Sequence, residues 1–217
     1  MERELIAEKS GFKVYLARDE DPQNPRDDDN VGTMVCWHRN YILGDDQPKE
    51  RYPEWLRDLA ADKVNANDAD LIPDEHIERI IDKHFIMLPL YLYDHSGITM
   101  STSEFSCPWD SGQVGVIYVA KDKAREEWPE ADENDSYKRA IKCLVSEVET
   151  YDQYLTGDVY GYMLEGPDGE EDSCWGYFGY EYAQEEASSV LEWHVNKANK
   201  RGRYSHTTYI CRVQKPP

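Results

Sequence analysis

The run Phe85-Ile86-Met87-Leu88-Pro89-Leu90-Tyr91-Leu92-Tyr93, closed by Asp94-His95-Ser96-Gly97, decides the reading of this chain. A short, continuously apolar segment that ends in turn-forming residues describes a buried strand. It is too short for a membrane helix, which needs about 20 apolar residues, and Pro89 and Asp94 interrupt it further. Working outward, Ile98–Thr102 reads as a second strand, Cys107-Pro108-Trp109-Asp110-Ser111-Gly112 as a loop, and the alternating Val114–Val119 as a third strand. Connections this short predict an antiparallel meander.

On the N-terminal side, Phe12–Arg18 alternates as a half-buried strand should, and Gly32–His38 has the β-branched and aromatic content of another. A polar stretch, Asp19–Asn30, separates them. Pro53–Ala60 and Asp74–Ile81 read as short helices packed over a sheet, the first opened by a proline, the second by acids that suit the helix dipole. On the C-terminal side, Ile141, Leu144, Val145, Val148, Tyr151 and Leu155 recur at helical spacing within Ser136–Leu155, and Gly157 stands where that helix would stop. Asp158–Glu165 and Ser173–Gly179 form a predicted hairpin around Gly166-Pro167-Asp168-Gly169, followed by a helix from about Tyr182 to Asn199 and a closing strand, His206–Val213. Helices interleaved with hairpins predict an α+β fold with a mixed or mainly antiparallel sheet. The length suggests a single domain over residues 1–217, with a helical insertion at about 46–84.

The chain has 217 residues, 24 Lys plus Arg against 44 Asp plus Glu, and a formal net charge of −20. Such a field repels phosphate backbones and anionic lipid, so neither nucleic acid nor a membrane surface is an expected direct partner. With 40% hydrophobic and 12% aromatic residues, the chain can still close a core. The first residues mix charges and lack the apolar core of a secretory signal, and the five cysteines contain no CxxC pair. Reduced thiols in a cytoplasmic protein are expected. The six histidines show no HxxxH or HExxH spacing, and the Asp27–Asn30 loop lacks the glycine and distal glutamate of an EF-hand. Glycine loops of the dinucleotide, P-loop and serine-hydrolase types are likewise missing, so no cofactor is expected.

Two constellations remain. Acidic residues crowd at Glu126, Glu127, Glu130, Asp132, Glu133 and Asp135, and again at Glu165, Asp168, Glu170, Glu171 and Asp172, near Tyr177 and Tyr180. Duplex DNA carries one charge per roughly 1.7 Å of axis, so twenty net negatives along one side would imitate on the order of ten base pairs. The aromatic residues would supply anchors for a protein interface. The expected function is then non-enzymatic: occupation of a basic nucleic-acid-binding site by charge mimicry. The alternative is an enzyme acting on a small molecule or nucleotide, in which His95, Cys107 and Asp110 meet at one sheet edge as a thiol, an imidazole and a carboxylate.

Three segments, Gly32–Arg39 with Leu43-Gly44-Asp45, Leu88–Val119 and Asp172–Tyr180, together resemble an uncharacterised family of accessory proteins from bacteriophages and other mobile elements. That family has no assigned activity, so the resemblance implies no catalytic residue. It implies a context: a small acidic protein in the cytoplasm of a bacterial host. There it would inhibit a nucleic-acid-directed defence, as anti-CRISPR and antirestriction proteins do, by binding a basic host protein or protein–RNA complex.

Overall fold

The computed structural model describes residues 2–64, 69, 72–107, 109–167, 169 and 171–210, with side chains as far as Lys200. In chain order the elements are β1 (Arg3–Lys9), β2 (Phe12–Arg18), β3 (Thr33–Cys36), α1 (Tyr52–Val64), α2 (Asp74–His84), β4 (Phe85–Asp94), β5 (Ile98–Ser101), β6 (Ser111–Ala120), α3 (Lys121–Glu127), α4 (Glu133–Thr156), β7 (Val159–Glu165), β8 (Glu171–Phe178) and α5 (Tyr180–Ile210). The fold is α+β, and its strands pair antiparallel throughout the described residues. The chain divides into two compact units. Residues 1–23 with 157–217 make one compact unit, and Asn24–Thr156 makes the other.

The first unit is a sheet of order β1-β2-β7-β8. Alternation sends Phe12, Val14 and Leu16 of β2 and Tyr160, Tyr162 and Leu164 of β7 to one face, where Ala183, Ala187, Leu191 and Val195 of α5 cover them. Those α5 residues recur every four positions, and small side chains let the helix approach the tyrosines. Strand β1, rich in Glu and Arg, carries no apolar alternation by which a sequence reading could find it. Backbone pairing with β2 and the tight turn at Ser10-Gly11, where φ is 53° and 83°, hold it in place. The closing strand expected at His206–Val213 is not formed where the chain is described, because α5 continues to Ile210; Cys211–Val213 lie outside the described residues. Extending an existing helix adds a hydrogen bond per residue without a new nucleus, whereas a strand needs a free sheet edge.

The second unit is a sheet of order β3-β6-β4-β5 with helices on both faces. Met34, Cys36, Ile86, Leu90, Ile117 and Val119 face α4, packing on Ala140, Leu144, Val148 and Tyr151. Val35, Val116, Phe85 and Tyr118 face the other way, toward Trp55 and Ala60 of α1 and Ile77 and Ile81 of α2. Cover on both sides explains why Phe85–Tyr93 is apolar without alternation. The expected meander is corrected in one respect. β6 pairs with β4 across the edge opposite β5, so the chain after β5 passes around the end of β4 before entering β6.

Arg26 ties this unit together. Its side chain is only 2% exposed. Nε and Nη2 donate to the two carboxylate oxygens of Asp45 at 2.8 and 2.6 Å, Nη1 donates to Glu147 at 2.8 Å, and Nη2 also donates to Gly32 O at 2.8 Å. The carboxylates are satisfied in turn: Glu147 accepts from Val31 N and Gly32 N, and Asp45 accepts from Met34 N. Burial alone pulls the Arg26 pKa down, but the bonds to Asp45 and Glu147 outweigh it and hold the guanidinium above its ordinary value. Removing one member would leave buried charges unpaired. Arg26→Met should therefore lower the unfolding free energy by about 3–5 kcal/mol. The exposed Arg139→Ala, which also breaks two ion pairs, should cost at most about 1 kcal/mol. Urea unfolding followed by tryptophan fluorescence checks both, and equal midpoints for Arg26→Met and the parent would show that the network does not hold the unit.

Candidate functional site

The path of the chain around the end of β4 brings His95, Cys107 and Asp110 together. His95 Nδ1 stands 3.4 Å from Asp110 Oδ2, and Cys107 Sγ stands 3.8 Å from the same oxygen. Asp94 N donates to Asp110 O at 2.8 Å, and Ser111 Oγ donates to Cys107 O, fixing the two turns against each other. The order of contacts is wrong for a nucleophile. A Cys-His site needs the imidazole to take the thiol proton, with a third group orienting the imidazole. Here the carboxylate is the shared partner of both thiol and imidazole. The His95 side chain is 64% exposed and that of Asp110 40%, so water is not excluded. Pro108 lies outside the described residues.

The acidic cluster between α3 and α4 is compensated at three of its six acids. Glu133 pairs with Arg125, while Arg139 holds both Glu130 and Asp135 at 2.8 Å. Asp132 accepts the backbone N–H of Asp135 at 2.8 Å, acting as the N-cap of α4. Glu126 and Glu127, exposed at the end of α3, hold no ion pair among the described residues. Trp128, just after α3, packs partly buried against the core under α4.

In the other unit, Glu165 pairs with Arg3 at 2.6 Å and Asp172 meets His194 Nε2 at 3.1 Å. Glu171 is exposed at the start of β8. Asp168 and Glu170 lie outside the described residues. Tyr177 stacks among Tyr162 and Tyr182, each 5.9 Å away, and burial first, then the Cys174 thiol, push its phenol well above the usual tyrosine range. The Tyr180 hydroxyl is bonded to Glu4 at 3.1 Å. These tyrosines are engaged within their own unit.

No family model, curated protein or solved structure matches the chain. Its own geometry is therefore the guide to its surface. Among the described residues no group of three His, Cys, Asp or Glu side chains is arranged to hold a metal ion, and no helix is long and apolar enough to cross a membrane.

Carboxylates without cation partners occur where sequence reading placed no site. Asp58 and Asp62 of α1 and Glu78 and Asp82 of α2 are exposed and hold no ion pair among the described residues. They are the outer side of the helices whose inner side, Ala60, Ile77 and Ile81, covers the sheet. The signal was present as acids three and four residues apart, out of phase with the isoleucines. Compensation and surplus thus differ between the two helical layers of this unit.

The cysteines divide by environment. Burial, then the nearby Asp45 charge, pushes the Cys36 thiol from 9.0 up to about 12, and burial with Glu147 pushes Cys143 up to about 11. Burying the neutral Cys36 thiol stabilises the fold fully below pH 9.0, and that contribution is lost as pH rises from there through about 12. At pH 8, iodoacetamide should alkylate Cys107 and Cys174 in the folded protein and reach Cys36 only after denaturation, as peptide mass mapping would show. Modification of Cys36 at the rate of Cys174 would contradict this.

Proposed function

We propose that the protein is a non-enzymatic inhibitor of the anti-CRISPR or antirestriction type, presenting carboxylates to a basic, nucleic-acid-binding site of a host defence protein or protein–RNA complex. One observation carries the reading: the distribution of charge within Asn24–Thr156. That unit has 28 Asp and Glu against 14 Lys and Arg, so 28 − 14 = 14 of the net negatives belong to it. Eight of its fourteen cations are engaged inside the unit, and Arg79 and Lys83 of α2 are exposed without an ion pair among the described residues. Arg26, Arg51, Arg57, Lys63, Arg125 and Arg139 hold carboxylates, while Lys121 and Lys123 hold backbone carbonyls.

What remains for a partner is the unpaired set. We assign the contact to the outer side of α1 and α2, with Asp58, Asp62, Glu78 and Asp82, rather than to Glu130, Glu133 and Asp135, whose charges are met by arginines. A partner's lysines and arginines would meet carboxylates there without first displacing internal pairs. The resemblance to phage and mobile-element accessory proteins supplies the bacterial setting, and the charge supplies the mechanism. The shared-carboxylate arrangement of Cys107, Asp110 and His95 gives the enzymatic alternative no comparable support.

A partner captured from bacterial lysate at low salt tests the reading through its binding curve. Its affinity should fall about tenfold or more between roughly 50 and 200 mM salt, and duplex nucleic acid should displace the protein. Joint replacement Asp58→Asn, Asp62→Asn, Glu78→Gln and Asp82→Asn should flatten the salt slope, whereas Glu130→Gln with Glu133→Gln should change it little. Salt-insensitive binding, or a slope untouched by the first set, would overturn the proposal.

A further inference from the structure

Trp37, Arg51, Tyr52, Gln113, Val114 and Gly115 line an open cleft of about 370 Å³ within Asn24–Thr156. The cleft exists because β6 departs from regular pairing there. Gly115 pairs with Leu90 and Gln113 with Tyr91, which leaves Val114 as the extra residue of a bulge. Bulges bend a strand and re-aim its side chains, and they gather beside functional sites. Trp37 N donates to Val114 O at 2.7 Å and closes the floor. Gly115 permits that approach, since a Cβ there would lie 2.2 Å from Val35 O.

The walls are rigid. The Trp37 and Tyr52 rings meet nearly at right angles, with centroids 5.5 Å apart, and Trp55 backs both of them. The Trp37 indole is further locked by its bond from Nε1 to Glu50 O at 2.8 Å. Polar groups are few and lie at the rim. The Gln113 carboxamide makes only a long 3.3 Å contact with Gly115 O, and the Arg51 guanidinium is 84% exposed beside Glu54.

A stacking wall with a carboxamide at its rim is the chemistry that reads a nucleobase. The ring face recognises planarity, while the amide offers a donor and an acceptor side by side, the complement of the adenine N6/N7 edge. The volume is at the small end of ligand clefts, which run roughly 300–1,000 Å³, and suits one base with its sugar. Charge narrows the choice further. Arg51, the one charged lining residue, is already paired with Glu54, and the unit as a whole carries fourteen surplus carboxylates, so its field disfavours a polyphosphate. We propose that this cleft binds a single adenine-type nucleobase, presented as an uncharged nucleoside. The inference is independent of the acidic contact assigned to α1 and α2.

Calorimetric titration of the full chain with adenosine, ATP and N-acetylarginine amide tests it. Adenosine should bind more tightly than ATP at low salt, with the gap closing as salt screens the repulsion. Trp37→Leu should weaken adenosine about tenfold or more. Because Trp37 also props α1, the exposed Gln113→Ala gives a second arm, expected to weaken adenosine about fivefold with an unchanged thermal melt. Three results would each overturn the proposal: no heat from adenosine at millimolar concentration, a Gln113→Ala affinity equal to the parent's, or binding of N-acetylarginine amide without adenosine. The last would reassign the cleft as a socket for a partner's arginine.

Discussion

A buried guanidinium is an expensive thing to enclose, and the Asn24–Thr156 unit is arranged around meeting the needs of one. Arg26 projects from a polar loop that has no apolar residues with which to anchor itself. Four of its five N–H donors find Asp45, Glu147 and a backbone carbonyl, and the same carboxylates cap the N–H groups of Val31, Gly32 and Met34. One side chain thereby fixes the loop, the entry to β3, the turn that carries Asp45 and the middle of α4. The network is internally paired: the guanidinium meets both carboxylates, and each carboxylate also accepts backbone N–H groups. That pairing makes it structural, and it leaves the chemistry of the molecule to the surface.

At that surface the relevant quantity is the difference between carboxylates that have cation partners and those that do not. Two arginines near Glu130, Glu133 and Asp135 offset part of the negative charge of that cluster. The outer side of α1 and α2 has fewer charges in sequence but more of them uncompensated. A cationic partner responds to the second kind, since breaking an internal pair offsets most of the gain from forming a new one.

The path of the chain between β5 and β6 has two consequences that pairing alone does not convey. Crossing past the end of β4 gathers His95, Cys107 and Asp110, as their types and positions suggested, yet the carboxylate falls where the imidazole would have to be for nucleophilic chemistry. The same strand, β6, then carries the bulge at Val114 that opens the aromatic cleft. A single irregularity of pairing, and not any recognisable motif, shapes this polar–aromatic surface.

Residue order by itself determined the class of the fold, because apolar periodicity is a local property. It gave the buried strand Phe85–Tyr93, the helix centred on Leu144 and Val148, the stop at Gly157 and the hairpin of β7 and β8. It missed β1, whose Glu and Arg residues hide an edge strand paired to β2 through the backbone, and it misjudged His206–Ile210, where helix propagation overrides β-propensity. Charge totals were also legible. Which carboxylates are neutralised, that the chain builds two sheets instead of one, that β6 pairs with β4 rather than β5, and that Trp37, Tyr52 and Gln113 share a cleft were decided only by tertiary structure. Each of these depends on contacts between residues far apart in the chain, and no local spacing encodes the distance between two side chains brought together by a fold.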